Sequence, residues 1–143
     1  ELSQDIGHKL RVHELVAGGV QVAIRSSELN YRQYQAHFPL ATRSPKIIAE
    51  KARELFNQRY DWRVPVRAVT IRAINLQPQG QPQQMDIFTD TAKLDRLDRL
   101  ETAVEDIRRR FGKRAITVAA LMGDLKMPGR GVHEVVMPGM MCR

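Results

Sequence analysis

Gly19-Val20-Gln21-Val22-Ala23-Ile24-Arg25 alternates strictly, with Val20, Val22 and Ile24 on one side and Gln21, Ala23 and Arg25 on the other. A period of two places successive side chains on opposite faces, so this stretch predicts a strand with one buried and one wet face. The segment after it repeats the pattern. Ser26 to Asn30 is turn-like, and Tyr31 to Thr42 sets Tyr34, Ala36, Phe38 and Leu40 against Gln33, Gln35 and His37. Pro39 cannot donate to a ladder, which predicts an edge strand or a bulge there. A third strand is expected at about Pro65 to Leu76, with Val69, Ile71 and Ala73 inward and Thr70 and Arg72 outward. A fourth is expected over Ala115 to Leu121.

Helical spacing surrounds these strands. Ile6, Leu10, Val12, Leu15 and Val16 form a stripe, with Ser3 a candidate cap and Gly18-Gly19 the expected stop. Ser44-Pro45 has the signature of a helix start, and Ile48, Ala52, Leu55 and Phe56 give that helix an apolar face. Leu94, Leu97, Leu100, Val104, Ile107 and Phe111 form a second long stripe closed by Gly112, with Asp95–Arg99, Glu105–Arg109 and Asp106–Arg110 at i,i+4 spacing. The expected fold class is therefore α+β: a four-stranded, largely antiparallel sheet with two long helices on one face, plus an N-terminal helix. In domain terms, 1–18 is a lead-in helix, 19–121 the main domain with a Gln/Pro-rich loop over 77–92, and 122–143 a tail.

Composition bounds the function. The chain has 143 residues, a size that suits one domain, and 43 % hydrophobic and 27 % charged residues, ordinary for a globular protein. No run approaches a membrane span and no signal peptide is visible; the missing initiator Met suggests an excised fragment. One cysteine, Cys142, excludes an internal disulfide framework and suits a reducing compartment, and the four histidines lack metal-ligand spacing. The net charge is +7, carried by 17 Arg and only 6 Lys. Guanidinium forks match phosphate oxygens, so a nucleic-acid partner competes with an ordinary basic surface. The expected strands are almost free of acids, and no Gly-rich phosphate loop or Ser/His/Asp set is present, so the chain by itself reads as non-catalytic.

Two motifs remain as candidate sites. Thr42-Arg43-Ser44 joins hydroxyls and a guanidinium to a helix N-terminus, which suits a phosphate but equally suits simple capping. Arg25, Ser26, Arg32, Lys46, Arg67 and Arg72 could extend a basic face, with Lys126 and Arg130 reaching it from the tail. Aromatics are only 6 %, which favours backbone tracking over base stacking. Gln84-Met85-Asp86-Ile87-Phe88 places three large apolar residues beside a polar loop, as a staple for the next helix or as a linear peptide for a partner's pocket.

Taken in order, these segments resemble the C-terminal little-finger (polymerase-associated) domain of bacterial Y-family translesion DNA polymerases, of the UmuC/DinB or ImpB/MucB/SamB type. The resemblance spans Leu2 to Arg11, Gly19 to Arg25, Thr42-Arg43-Ser44, Val66 to Ile71, Gln84 to Phe88, and Leu97 to Leu121. It implies a domain that grips the primer/template duplex backbone in the major groove, with Thr42-Arg43-Ser44 contacting phosphate. It implies that Gln84, Met85, Asp86, Ile87 and Phe88 engage the sliding clamp, although Met85 and Ile87 stand where leucines are commoner. Further implied partners are double-stranded DNA and the rest of a polymerase chain, with no membrane, in a cytoplasmic, nucleoid-associated setting of DNA damage repair and the SOS response. Metal-dependent nucleotidyl transfer would belong to a palm that this chain lacks, so Mg²⁺ is expected there and no cofactor here. The alternative expectation is a stand-alone protein-interaction or nucleic-acid-binding module acting through Gln84 to Phe88.

Overall fold

In the computed structural model, residues 1–82, 91–112 and 115–119 are described. The element order is α1 (Leu2–Val12), β1 (Leu15–Ser26), β2 (Tyr31–Thr42), α2 (Pro45–Arg59), β3 (Val66–Pro78) and α3 (Thr91–Phe111). The chain divides into two units, Glu1–Glu105 and Asp106–Arg143.

In the first unit, β1 is the central strand of a three-stranded antiparallel sheet, ordered β2-β1-β3. The alternation of Gly19 to Arg25 decides its two faces. Val20, Val22 and Ile24 are all but fully buried, and they join Leu10 of α1, Phe38 of β2, and Ile48, Ala52 and Leu55 of α2 in one core. The register places Ala36 and Ala73 beside Val20, and Tyr34 and Ile71 beside Val22, so the inward residues expected of all three strands share the helix-covered side. Between Gly19↔His37 and Ala17↔Thr42 the pairing slips, so Phe38, Pro39, Leu40 and Ala41 bulge opposite Gly18. The irregularity falls at Pro39 on an edge strand, where the missing N–H costs no ladder bond.

Four expectations need correction. Ala115 to Leu121 was expected as a fourth strand, but described residues 115–119 show bends and a 3₁₀ turn; Arg108 instead donates from Nε (3.2 Å) and Nη2 (3.0 Å) to the Ile116 carbonyl. Two long helices were expected on one sheet face. The face is covered by α1 and α2, while among the described residues α3 contributes none to the core, and Leu100, Ile107 and Phe111 of its stripe are exposed. The lead-in helix was expected to reach Gly18-Gly19 with Ser3 as cap. It spans Leu2–Val12 with Glu1 at the cap position, Ser3 is buried inside it, and Leu15, Val16 and both glycines belong to β1. Gly19 serves close packing: a Cβ there would stand 2.7 Å from the Ala36 carbonyl oxygen. Finally, the ion pairs described on α3 are not the i,i+4 pairs. Arg109 meets Asp106 at 2.8 Å, and Glu105 turns to His8.

No described helix is long and apolar enough to cross a membrane.

Candidate nucleic-acid interface

The sheet side opposite α1 and α2 carries the outward set of each strand. The register aligns Gln21 with Gln35 and Arg72, Ala23 with Gln33 and Thr70, and Arg25 with Tyr31 and Ala68. Arg25, Arg72, Gln33, Gln35, His37 and Thr70 are exposed. None of the three strands contains an Asp or Glu. Among the described residues, neither Arg25 nor Arg72 has an ion-pair partner. The face is thus cationic and uncompensated, with Gln and Thr between the charges.

The other sequence-predicted residues lie elsewhere. Ser26 is buried and structural: its Oγ accepts from Asn30 N (3.2 Å), closing the β1–β2 turn. Arg32 follows the helix-side parity opposite Ile24 and lines a cavity of about 160 Å³ with Tyr60, Asp61 and Arg63. Arg67 is exposed on β3 with that same parity, and Lys46 is exposed in the first turn of α2. Lys126, Arg130 and the whole Gln84 to Phe88 peptide lie outside the described residues.

Thr42-Arg43-Ser44 occupies the β2–α2 junction. Ser44 caps α2: its Oγ accepts from Ile47 N (3.4 Å), and Pro45 follows at the first helical position. Thr42 Oγ1 accepts from Ser44 N (3.1 Å). Arg43 grips Asp98 of α3 bidentately, Nε to Oδ1 at 3.0 Å and Nη2 to Oδ2 at 2.8 Å, and donates from Nη1 to Gln79 Oε1 (2.6 Å). Ser44 Oγ also donates to Glu101 Oε1 (2.6 Å). Glu101 is shared with Arg11 of α1, whose Nη2 lies 2.7 Å from Oε2. The bidentate hydrogen bond from Arg43 holds the Asp98 carboxyl below the usual aspartate range, and the same bond raises Arg43. Next to this network a cavity of about 430 Å³ opens between Val16, Phe38 and Ile47 on one side and Leu94 and Leu97 on the other.

Sequence reasoning missed Arg11, Asp98 and Glu101. Asp98 and Glu101 are three apart on one helix face, a visible signal, but their partners lie 55 and 57 residues away. It also missed an aromatic cluster at the end of α2, where Phe56, Tyr60 and Trp62 meet with ring centroids 5.4–5.5 Å apart. Trp62 holds a left-handed backbone (φ 57°) and is 64 % exposed. Among the described residues, no three His, Cys, Asp or Glu side chains converge to hold a metal ion.

A family model described as the impB/mucB/samB family C-terminal domain matches residues 1–87. A DNA polymerase IV of Acetivibrio thermocellus is 32 % identical over 134 residues, covering 94 % of this chain and 32 % of that protein. A DNA polymerase IV of Alkaliphilus oremlandii is 23 % identical over 128 residues, covering 85 % of this chain and 32 % of that protein. The chain thus spans about a third of the length of these curated relatives. With the match over residues 1–87 and the relative at 32 % identity, the chain belongs to the impB/mucB/samB C-terminal domain family, the little-finger family of Y-family polymerases.

Proposed function

We propose that this chain is the non-catalytic, duplex-gripping domain of a Y-family translesion DNA polymerase. The observation that carries the reading is the acid-free sheet face bearing Arg25 and Arg72 among Gln and Thr side chains. Such a face meets phosphates without reading base edges, and binding to it is driven by counterion release. Tyr31 is the exposed aromatic residue among its described positions, too little for stacking on successive bases. The domain holds primer/template duplex in the major groove, and Thr42-Arg43-Ser44 supplies a further phosphate contact at the start of α2. Gln84 to Phe88 tethers the polymerase to the sliding clamp during lesion bypass in the bacterial cytoplasm. Nucleotidyl transfer and its Mg²⁺ belong to the palm of the longer polymerase.

The test is fluorescence anisotropy of a labelled duplex titrated with the full chain between 50 and 200 mM salt. Affinity should fall steeply with salt and be indifferent to sequence. Arg25→Ala with Arg72→Ala should lower the log–log salt slope by about 2, one for each phosphate no longer neutralised. Salt-independent affinity, or a weakening confined to certain sequences, refutes backbone gripping.

A further inference from the structure

The donors assigned to phosphate at the start of α2 already hold an anion. Arg43 presents its fork to both oxygens of Asp98, Ser44 Oγ donates to Glu101, and Arg11 Nη2 donates to the other oxygen of Glu101. These are the donor types, at the distances, that bind a phosphodiester: a bidentate guanidinium, a hydroxyl and a second guanidinium. Arg11 is a deep part of the site, with its side chain 10 % exposed, and its buried Nε has no acceptor. The two carboxylates therefore leave this donor set one acceptor short, which the extra oxygens of a phosphate could supply.

The helix carrying these carboxylates is held in an unusual way. Among the described residues α3 adds nothing to the core, and Leu100 on its stripe is 61 % exposed. Leu94, Leu97 and Val104 of its stripe are half-buried, the first two beside the 430 Å³ cavity, and its described hydrogen bonds to α1 and to the β2–α2 junction are charged and polar. Polar contacts of that kind can be exchanged for those of another anion, whereas a buried apolar face cannot.

We propose that α3 is an internal competitor for the phosphate site: Asp98 and Glu101 stand in for the oxygens of a DNA phosphodiester, and duplex engages Arg43 and Ser44 only as α3 gives way. This rests on the reading that the chain grips duplex DNA, and adds a self-limiting device to it. With α3 in place, Arg11 and Arg43 are neutralised by two acids, and the open sheet face alone is available to the polyanion. With α3 released, two cations and a helix N-terminus beside the helix layer are freed for the polyanion as well.

The experiment titrates a labelled random-sequence duplex with four forms of the full chain at fixed salt. They are the parent, Asp98→Asn with Glu101→Gln, Asp95→Asn with Asp106→Asn, and Asp98→Asn with Glu101→Gln in an Arg43→Ala background. Both acid-to-amide doubles raise the net charge equally. Competition predicts that the 98/101 double binds at least about 5-fold tighter than the 95/106 double, a usual size for coupled sites, and that Arg43→Ala erases the gain. Equal gains in the two doubles reduce the effect to net charge and overturn the proposal, while leaving duplex gripping intact. No binding by any form at low salt overturns duplex gripping and this proposal with it. A second measurement needs no substitution. Saturating duplex should speed amide hydrogen exchange across Leu94–Glu101 of the parent and slow it at residues 46–48. Exchange in α3 that stays unchanged or slows also overturns the competition.

Discussion

Replacing Gly7 by Ala should destabilise this chain even though it improves the helix. Gly7 lies buried in α1 where the helix crosses the start of α2. In an isolated helix the change would stabilise by about 1 kcal/mol. Here a Cβ would stand 2.4 Å from Pro45 Cγ, 2.9 Å from Pro45 Cδ and 3.1 Å from the Arg43 carbonyl oxygen. Favourable carbon–carbon separation is about 3.5–4.0 Å, so α1 must retreat by roughly 1 Å. The obstacle is a ring with fixed φ and a backbone carbonyl, neither of which swings aside as a lysine tip does. Retreat also loosens Ile6 and Leu10 against Ile48 and Ala52. Overpacking of this kind costs about 1–3 kcal/mol, and the rigid obstacle puts it near 3. Offset by the helical gain of about 1, the net loss is about 2 kcal/mol. With an m-value of about 2 kcal/mol/M, the urea midpoint of the full chain should fall by about 1 M. Pro45→Ala removes the two nearest atoms, so Gly7→Ala in that background should cost much less than in the parent, a positive coupling between residues that touch. An unchanged or raised midpoint for Gly7→Ala refutes the close-approach argument. Equal costs in both backgrounds acquit Pro45.

Three further outcomes follow from the same packing. Ile48→Ala empties a site that is 1 % exposed at the junction of α2 with the sheet, and should lower unfolding free energy by about 2–5 kcal/mol in urea titration; a loss below about 1 would mean that the core is not centred there. Asp98 is held below its ordinary value by the hydrogen bond from Arg43, so its contribution is fully present above the unfolded-state value near pH 4 and is lost as pH falls through the lower folded value. Thermal melts of Asp98→Asn should therefore track the parent more closely as pH drops below about 4, and parallel curves from pH 7 to 2 would contradict the pairing. If Gln84 to Phe88 is a linear peptide for a partner's pocket, Ile87→Ala with Phe88→Ala should abolish capture of the chain by an immobilised sliding clamp while leaving the melting temperature within about 2 °C; joint loss of folding would make those residues part of this domain's own packing.

The faces of the sheet were legible in the sequence because a half-buried strand writes its burial as a period of two; the exceptions are Ala23, expected outward but buried in the central strand, and Val69, expected inward but exposed near the end of β3. The start of α2 was legible because Ser44-Pro45 is a local signal answered by a local bond, Ile47 N to Ser44 Oγ. The misreadings have physical causes. Leu15 and Val16 continue a helical spacing by accident, and the chain turns before them at Glu14 (φ 53°), a position where no glycine announces a left-handed backbone. Gly18-Gly19 looks like a helix stop because glycine disfavours helix, yet the same lack of a Cβ lets two strands close on β1. Ala115 to Leu121 has strand-like composition, but strand pairing is settled by tertiary partners that no local window contains. The fate of Arg43 was the least legible of all, since spacing shows that a guanidinium flanks a helix start and says nothing of an acid 55 residues later.

The distribution of acids separates two kinds of arginine, and this bears on how the domain works. If Arg25 and Arg72 served only the sheet's stability, cross-strand carboxylates would be the favourable neighbours, because opposite charges facing each other across a ladder stabilise it. The chain has 16 acids and could have placed one there. It places Gln21, Gln33, Gln35 and Thr70 on that face instead. Leaving the two cations without an ion-pair partner among the described residues costs little in water, and their field would act fully on an arriving polyanion and its counterions. Arg11 and Arg43 are treated in the opposite way, each matched to a carboxylate of α3 and largely withdrawn from solvent. The order of engagement follows from this difference. On the proposed competition, a duplex would first meet the uncompensated face, where nothing must be displaced, and would gain Arg43 and Ser44 only after its phosphates replace Asp98 and Glu101. Salt screens the exposed cations of the sheet face more than the part-buried pairs that hold α3. The salt slope of the parent therefore reports the open face, while α3 keeps Arg43 and Arg11 occupied. Asp98→Asn with Glu101→Gln should steepen the log–log slope by about 2 as the two guanidiniums are freed for phosphates, and Arg43→Ala in that background should take back about 1. An unchanged slope in the double would mean that the two sets of arginines act independently.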